Sequence, residues 1–174
     1  GAFKGCSSLK QISIPSNIKL IMECTFEGCT SLFQIKIPSS ITSIENYAFS
    51  ECLSLEKIVI PASITSLGDY CFSKCSSLKQ LVIPSSVLFI GKGAFCGCTS
   101  IEQITIPSSI TSISDYLFSK CTSLKTIKMT LAVTSIGTGS FSECSSLTHI
   151  TIPPSVTSIG GGAFQKCTSL TQIT

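Results

Sequence analysis

Hydrophobic and polar positions along this 174-residue chain follow a pattern that repeats every 23 residues without insertion or deletion. Seven full units start at Gly1, and a partial eighth opens at Gly162. A fixed short period is the signature of a solenoid, in which each unit forms one coil that buries its apolar face only by stacking on its neighbours. Superimposed, the units resolve into columns. Phe3, Phe26, Phe49, Phe72, Phe95, Phe118, Phe141 and Phe164 fill one without exception. Cys6, Cys29, Cys52, Cys75, Cys98, Cys121, Cys144 and Cys167 fill another, three residues further on. A serine is present in every unit from Ser8 to Ser169, followed by a Leu that is Ile only at Ile101.

That Leu opens a Leu-x-x-Ile-x-Ile-Pro segment, as in Leu9, Ile12, Ile14 and Pro15. Strict alternation of β-branched residues predicts a short strand with both isoleucines facing inward. Proline, lacking an N–H, ends it. Strands of successive coils are then expected to form a parallel sheet along one face, spaced by about 4.8 Å. Two further apolar columns, beginning at Ile18 and Ile21, predict an extended or loosely turned return path. The three-residue offset between Phe and Cys predicts one helical turn with both side chains inward.

The unit Ala-Phe-x-x-Cys-x-Ser-Leu-x-x-Ile-x-Ile-Pro-x-Ser-[Ile/Val]-Thr-Ser-Ile-Gly, read at Ala94 to Ser114 with Ser114 in place of the final Gly, closely resembles the BspA-like class of leucine-rich repeats. The resemblance covers the whole chain. It implies an α/β, right-handed leucine-rich-repeat solenoid, a horseshoe or arc with a parallel β-sheet on one face and short helical turns and extended segments on the other. It also implies a surface protein of anaerobic bacteria or mucosal protists that adheres to host proteins, extracellular-matrix proteins among them. Residues 1–174 are read as a single domain and a segment of a longer array, whose open terminal coils, with Phe3 and Phe164, invite end-to-end association.

Composition narrows the alternatives. Mean hydropathy is +0.49, but the apolar residues lie in columns, and no run is long enough to span a membrane. The net charge is +3, with twelve lysines and no arginine, which argues against the Arg forks typical of phosphate and base recognition and so against nucleic acid. Charges also follow the repeat. Glu56, Lys79, Glu102 and Lys125 share a column, as do Asp69, Lys92 and Asp115; Glu51 precedes Lys74, and Lys120, Glu143 and Lys166 follow in that same column. Alternating signs on successive coils predict ion ladders that help fix register.

Eleven cysteines raise metal and redox readings. Eight lie in the ladder, where a small apolar side chain suits a tight corner, and parallel in-register side chains fit disulfide geometry poorly. They are expected to be free, buried thiols. Cys24, Cys71 and Cys96 lie off the column, and Cys96 is expected to be exposed. With one histidine, His149, no tetrahedral zinc set is expected. The recurrent serine is expected to hydrogen-bond the backbone entering each strand, and no nucleophile–base–acid set is present. No enzyme and no cofactor are expected.

The outward strand columns remain. One reads Gln11, Gln34, Lys57, Gln80, Gln103, Thr126, His149, Gln172; the other reads Ser13, Lys36, Val59, Val82, Thr105, Lys128, Thr151, Thr174. The glutamines could form an amide ladder. The same face, bearing Gln34, Lys36, Lys57, Val59, Gln80, Val82, Gln103, Thr105 and Lys128, is the candidate protein-binding site. An intracellular scaffold or passive spacer is the alternative. Departures from the repeat stand out at Phe33, Leu88, Phe89 and Leu131, with Leu131 expected near Pro154 in a stretch of altered curvature.

Overall fold

A computed structural model describes residues 1–174 and shows a solenoid in which each 23-residue unit is one coil. Coil 1 starts at Gly1, and the fourth and fifth run over 70–92 and 93–115. One cluster of 44 buried residues threads the coils. It comprises the Phe column from Phe26 to Phe141, the Cys column from Cys29 to Cys144, the inward strand residues such as Ile35, Ile37, Ile58 and Ile60, and the return-path residues such as Ile41, Ile44, Ile64 and Leu67.

The expected strand face is present but thin. Its regular strands are β5 (Gln103–Thr105), β7 (Thr126–Lys128), β9 (His149–Ile150) and β11 (Gln172–Ile173), paired β5 with β7 and β11 with β9, all parallel. Earlier coils contribute only single bridges, Ser13 to Lys36, Gln34 to Lys57 and Lys57 to Gln80.

The return path is more ordered than its sequence suggested. β1 (Leu20–Ile21), β2 (Ser43–Ile44), β3 (Ser66–Leu67) and β4 (Phe89–Ile90) pair in that order, and β6 (Ser112–Ile113), β8 (Ser135–Ile136) and β10 (Ser158–Ile159) continue the face. Register advances by 23 residues at each step, as in Ile21 opposite Ile44 opposite Leu67. The solenoid therefore carries two parallel ladders, not one. Thr-Ser-Ile at Thr42 to Ile44 does alternate, but a two-residue strand leaves too short a trace for periodicity to register.

The predicted helical turn is absent: the fold contains strands and turns and no helix. Amides in this segment alternate between two kinds of partner. Glu27 and Cys29 donate to the carbonyls three residues back, Cys24 and Phe26, whereas Cys24, Phe26 and Gly28 donate forward to Asn46, Ala48 and Ser50, one turn further along the solenoid. A helix would require every amide to bond within the segment. Half of them point along the solenoid axis instead. The chain reaches this geometry through two left-handed positions per coil, for example Tyr70 (φ 53°) and Lys74 (φ 59°), which glycine occupies in other coils at little steric cost.

The Phe ladder is continuous. Rings from Phe3 to Phe164 stack face to face with centroids 5.1 to 5.8 Å apart and planes within 16°, close to the offset geometry aromatic rings favour. A shorter stack joins Tyr47 to Tyr70 at 5.3 Å. It stops at Gly93, where an added Cβ would lie 2.3 Å from the Tyr70 ring.

Candidate protein-binding surface

The cysteine column does more than fill space. Each thiol from Cys29 to Cys167 donates to a Phe carbonyl of the preceding coil, at 3.1 to 3.2 Å; Cys98 to Phe72 and Cys121 to Phe95 are examples. Cysteine is thus both small enough for the corner and able to donate across the coil boundary, a combination that alanine lacks. All eleven cysteines are unpaired. Burial pushes the Cys52 and Cys144 thiols up to about 12 and holds Cys75, Cys98 and Cys121 well above the ordinary thiol value. These groups are poor thiolates and poor nucleophiles. Cys96, expected to be exposed, is half-buried between the buried Ser73 and Ser119 of its column, and burial raises its thiol as well. No group of three His, Cys, Asp or Glu side chains comes together as a metal site.

Polar ladders differ from expectation in their partners. The recurrent serine bonds through its amide, Ser31 to Ser7 and Ser54 to Thr30, while the Ser/Thr preceding it supplies the hydroxyl, as from Thr30 to Ser7 and Thr99 to Ser76. Asp69 and Asp115 are not members of an ion ladder. Their Oδ1 atoms accept from the amides of Lys92 and Thr138 in the next coil, as Asn46 accepts from Asp69. A short acceptor placed beside a backbone N–H outcompetes a distant ammonium. Lys92 instead lies over the Tyr116 ring, 5.2 Å from its centroid. Ion pairs do form at Lys4–Glu27, Lys74–Glu51, Lys79–Glu56, Lys125–Glu102 and Lys166–Glu143, 2.6 to 3.9 Å apart. Both the Lys79–Glu102 and Lys120–Glu143 steps lack one.

On the strand face, Gln34, Lys36, Lys57, Val59, Gln80, Val82, Gln103, Thr105 and Lys128 are all exposed. One ladder aligns Gln34, Lys57 and Gln80, and a second aligns Gln103 and Thr105 with Thr126 and Lys128. The glutamine amide ladder does not form, since no glutamine side chain makes a hydrogen bond there; the only link between outward side chains is Thr151 to Thr174. The amides stay free for a partner. Val59 and Val82 are 65% and 76% exposed. A shallow groove runs between Gln11, Ser13, Gln34, Lys36, Lys57 and Val59, and a second lies beside Val82 and Thr105. Sequence also singled out Leu88, Phe89 and Leu131, which are exposed at 66%, 57% and 71%; Leu131, expected to pack near Pro154, projects into solvent.

Charge divides along the same lines. The nine acidic residues all lie off the outward strand columns, and so do all five paired lysines. Lys36, Lys57 and Lys128 are left on the face without an acidic neighbour in their columns. No helix is long and apolar enough to cross a membrane.

Comparison with solved structures places the fold. The chain is 34% identical to a leucine-rich repeat protein of T. pallidum, with a TM-score of 0.76 over 98% of this chain and 69% of that one. It is 28% identical to a leucine-rich cell surface protein of Faecalibacterium prausnitzii, at TM-score 0.55, covering 99% of this chain and 61% of the other. A leucine-rich repeat protein of Bacteroides ovatus is 27% identical at TM-score 0.59, with 99% and 68% covered. No curated protein sequence matches the chain. The pattern of the BspA type leucine-rich repeat region, six copies long, matches residues 1–98 and again 77–174. The ladders of Phe, Cys and Ile described above are its repeating unit, and the chain belongs to the BspA-type leucine-rich repeat family.

Proposed function

We propose that this chain is a non-enzymatic protein-binding module, part of a longer array in a cell-surface adhesin, that presents its strand face to an acidic surface on a host or matrix protein. The observation that carries this reading is the separation of charge. Five of the nine lysines on the other faces pair with acids, whereas none of Lys36, Lys57 and Lys128 does, and these stand among glutamines and exposed valines. Such a face offers electrostatic steering at its lysines and apolar contact at Val59 and Val82. The cell-surface description of the F. prausnitzii protein supports the location. The terminal coils, where Phe3 is 37% exposed, would seat further coils of the same kind, in one chain or end to end between copies.

Binding to a panel of extracellular-matrix proteins, measured by surface plasmon resonance, tests the assignment. Lys36→Glu, Val59→Glu and Val82→Glu together are expected to abolish binding, and added salt is expected to weaken it. Binding that persists in the triple variant would place the site on another face.

A further inference from the structure

Successive coils are joined along three lines, the Phe–Cys turn edge, the strand face and the return ladder, and one step differs from all the others. The turn edge never breaks. Where coil 4 meets coil 5, as elsewhere, three amides run along it: Tyr70 donates to Lys92, the last residue of coil 4, and Phe72 and Lys74 donate to Ala94 and Cys96 of coil 5; Gly93, Phe95 and Gly97 continue the series. The return ladder is equally regular on either side of this step. Thr65 donates to Thr42 and Gly68 to Ile44; later, Thr134 donates to Thr111 and Gly137 to Ile113. From coil 4 to coil 5 both bonds are missing, and β4 and β6 do not pair. The strand face parts at the same place, its bridges stopping at Gln80 and a new ladder starting at Gln103. The strand face also lacks pairing between β7 and β9, but there the return ladder holds through β8 and β10.

The sequence supplies the cause. At the column of Gly68, Gly91, Gly137 and Gly160, an added Cβ would lie 2.4 to 2.6 Å from backbone of the preceding coil, a distance at which something must shift. Ser114 occupies that column at the open step, and its hydroxyl, not its amide, bonds to Ile90. Glu45 is also not glycine, yet its amide keeps its bond to Ile21, so loss of the glycine opens the step only together with the other departures. Lys92 stands where Asn46, Asp69 and Asp115 offer an acceptor to the next coil. Phe89 replaces a serine in the column where Ser135 elsewhere bonds to Ser112, so Ser112 meets no hydroxyl across the open step; Leu88, beside it, faces coil 3, where its amide keeps its bond to Thr65. Three departures from the repeat, at Phe89, Lys92 and Ser114, thus converge on one boundary.

We propose that this boundary is a hinge. The segments 1–92 and 93–174 pivot about the Phe–Cys turn edge, opening and closing on the strand and return faces together. Motion of this kind changes the angle between the part of the strand face bearing Lys36, Lys57 and Val59 and the part bearing Lys128. Hinges of this type absorb motion at a few positions while the elements on each side stay rigid.

Two measurements on the 174-residue chain test it. Hydrogen exchange followed by mass spectrometry is expected to show amides at 111–114 exchanging about ten-fold faster than the equivalent 65–68 and 134–137. Nitroxides attached through unnatural keto residues at Lys10 and Thr148, which spares the cysteines, are expected to give a broad distance distribution by pulsed electron resonance. Restoring the repeat with Leu88→Thr, Phe89→Ser, Lys92→Asn and Ser114→Gly is expected to slow exchange at 111–114 to the level of 65–68 and to narrow the distribution. Protection at 111–114 equal to that at 65–68 in the unaltered chain would overturn the hinge, as would a distance distribution that the restored repeat leaves unchanged. If the fourfold variant does not fold, Ser114→Gly alone decides by its effect on exchange at 111–114.

Discussion

The turn edge and the strand face are built from the same coils, stacked with the same 23-residue register, yet they use that register in opposite ways. Along the turn edge every coil repeats the same side chains: the Phe rings stack, the Cys thiols reach back to Phe carbonyls and three amides run along the edge at each step. Along the strand face the backbone aligns the coils, while the outward side chains change from coil to coil and are joined by a single hydrogen bond, Thr151 to Thr174. Main-chain pairing and inward isoleucines hold that face, so its outer surface is free to vary at little cost in stability. One edge of the solenoid is committed to structure, which leaves the other open to recognition.

Three perturbations sharpen the contrast, taken from the largest effect to the smallest. Alkaline pH should strike the turn edge as a whole. The buried thiols have folded-state values raised above their unfolded one of about 9, so their contribution is intact below pH 9 and is lost as pH climbs toward 12, where Cys52 and Cys144 titrate. Circular dichroism against pH should show unfolding in that window, and a fold that survives unchanged beyond pH 12 would contradict the thiol ladder. A single truncation comes next. Phe95→Ala, at the centre of the stack, is expected to cost about 3–5 kcal/mol, against about 0.5 kcal/mol or less for Val82→Ala, in urea denaturation. Comparable costs would mean that the strand face shares in stability. The smallest effect concerns the exposed layer beside the spine. Lys74→Ala removes the 2.6 Å pair with Glu51 and is expected to cost about 0–1 kcal/mol, a difference that molar salt should erase.

Much of this was legible in the sequence because the repeat converts chemistry into columns. Phe49 and Cys52 are buried, Val59 and Val82 are exposed, and Ile58 and Ile60 face inward, all as the alternation dictates. Features that failed to show share a physical origin: they depend on which coil a donor chooses. Phe and Cys three apart look helical within one unit, and only the bond from Phe26 to Ala48 reveals that the amides leave it. Asp69 beside Lys92 looks like an ion pair until its carboxylate is seen to accept the Lys92 amide. Glutamines sharing a column look like an amide ladder, yet Lys57 separates Gln34 from Gln80 and no glutamine side chain bonds across the coils. The left-handed positions did leave a trace, since Gly5, Gly28 and Gly97 alternate with Glu51 and Lys74 in one column, a mixture that makes sense only as a backbone demand.

The direction of the inter-coil hydrogen bonds has a mechanical consequence. They run along the solenoid axis, so tension applied to the two ends loads a few bonds at one terminal boundary and not the whole stack at once. Coils would peel off singly, each releasing about 75 Å of extended chain from its 23 residues. An array of this kind yields under pull by lengthening in even increments, and the coils still stacked keep their outer surface in shape while it does so.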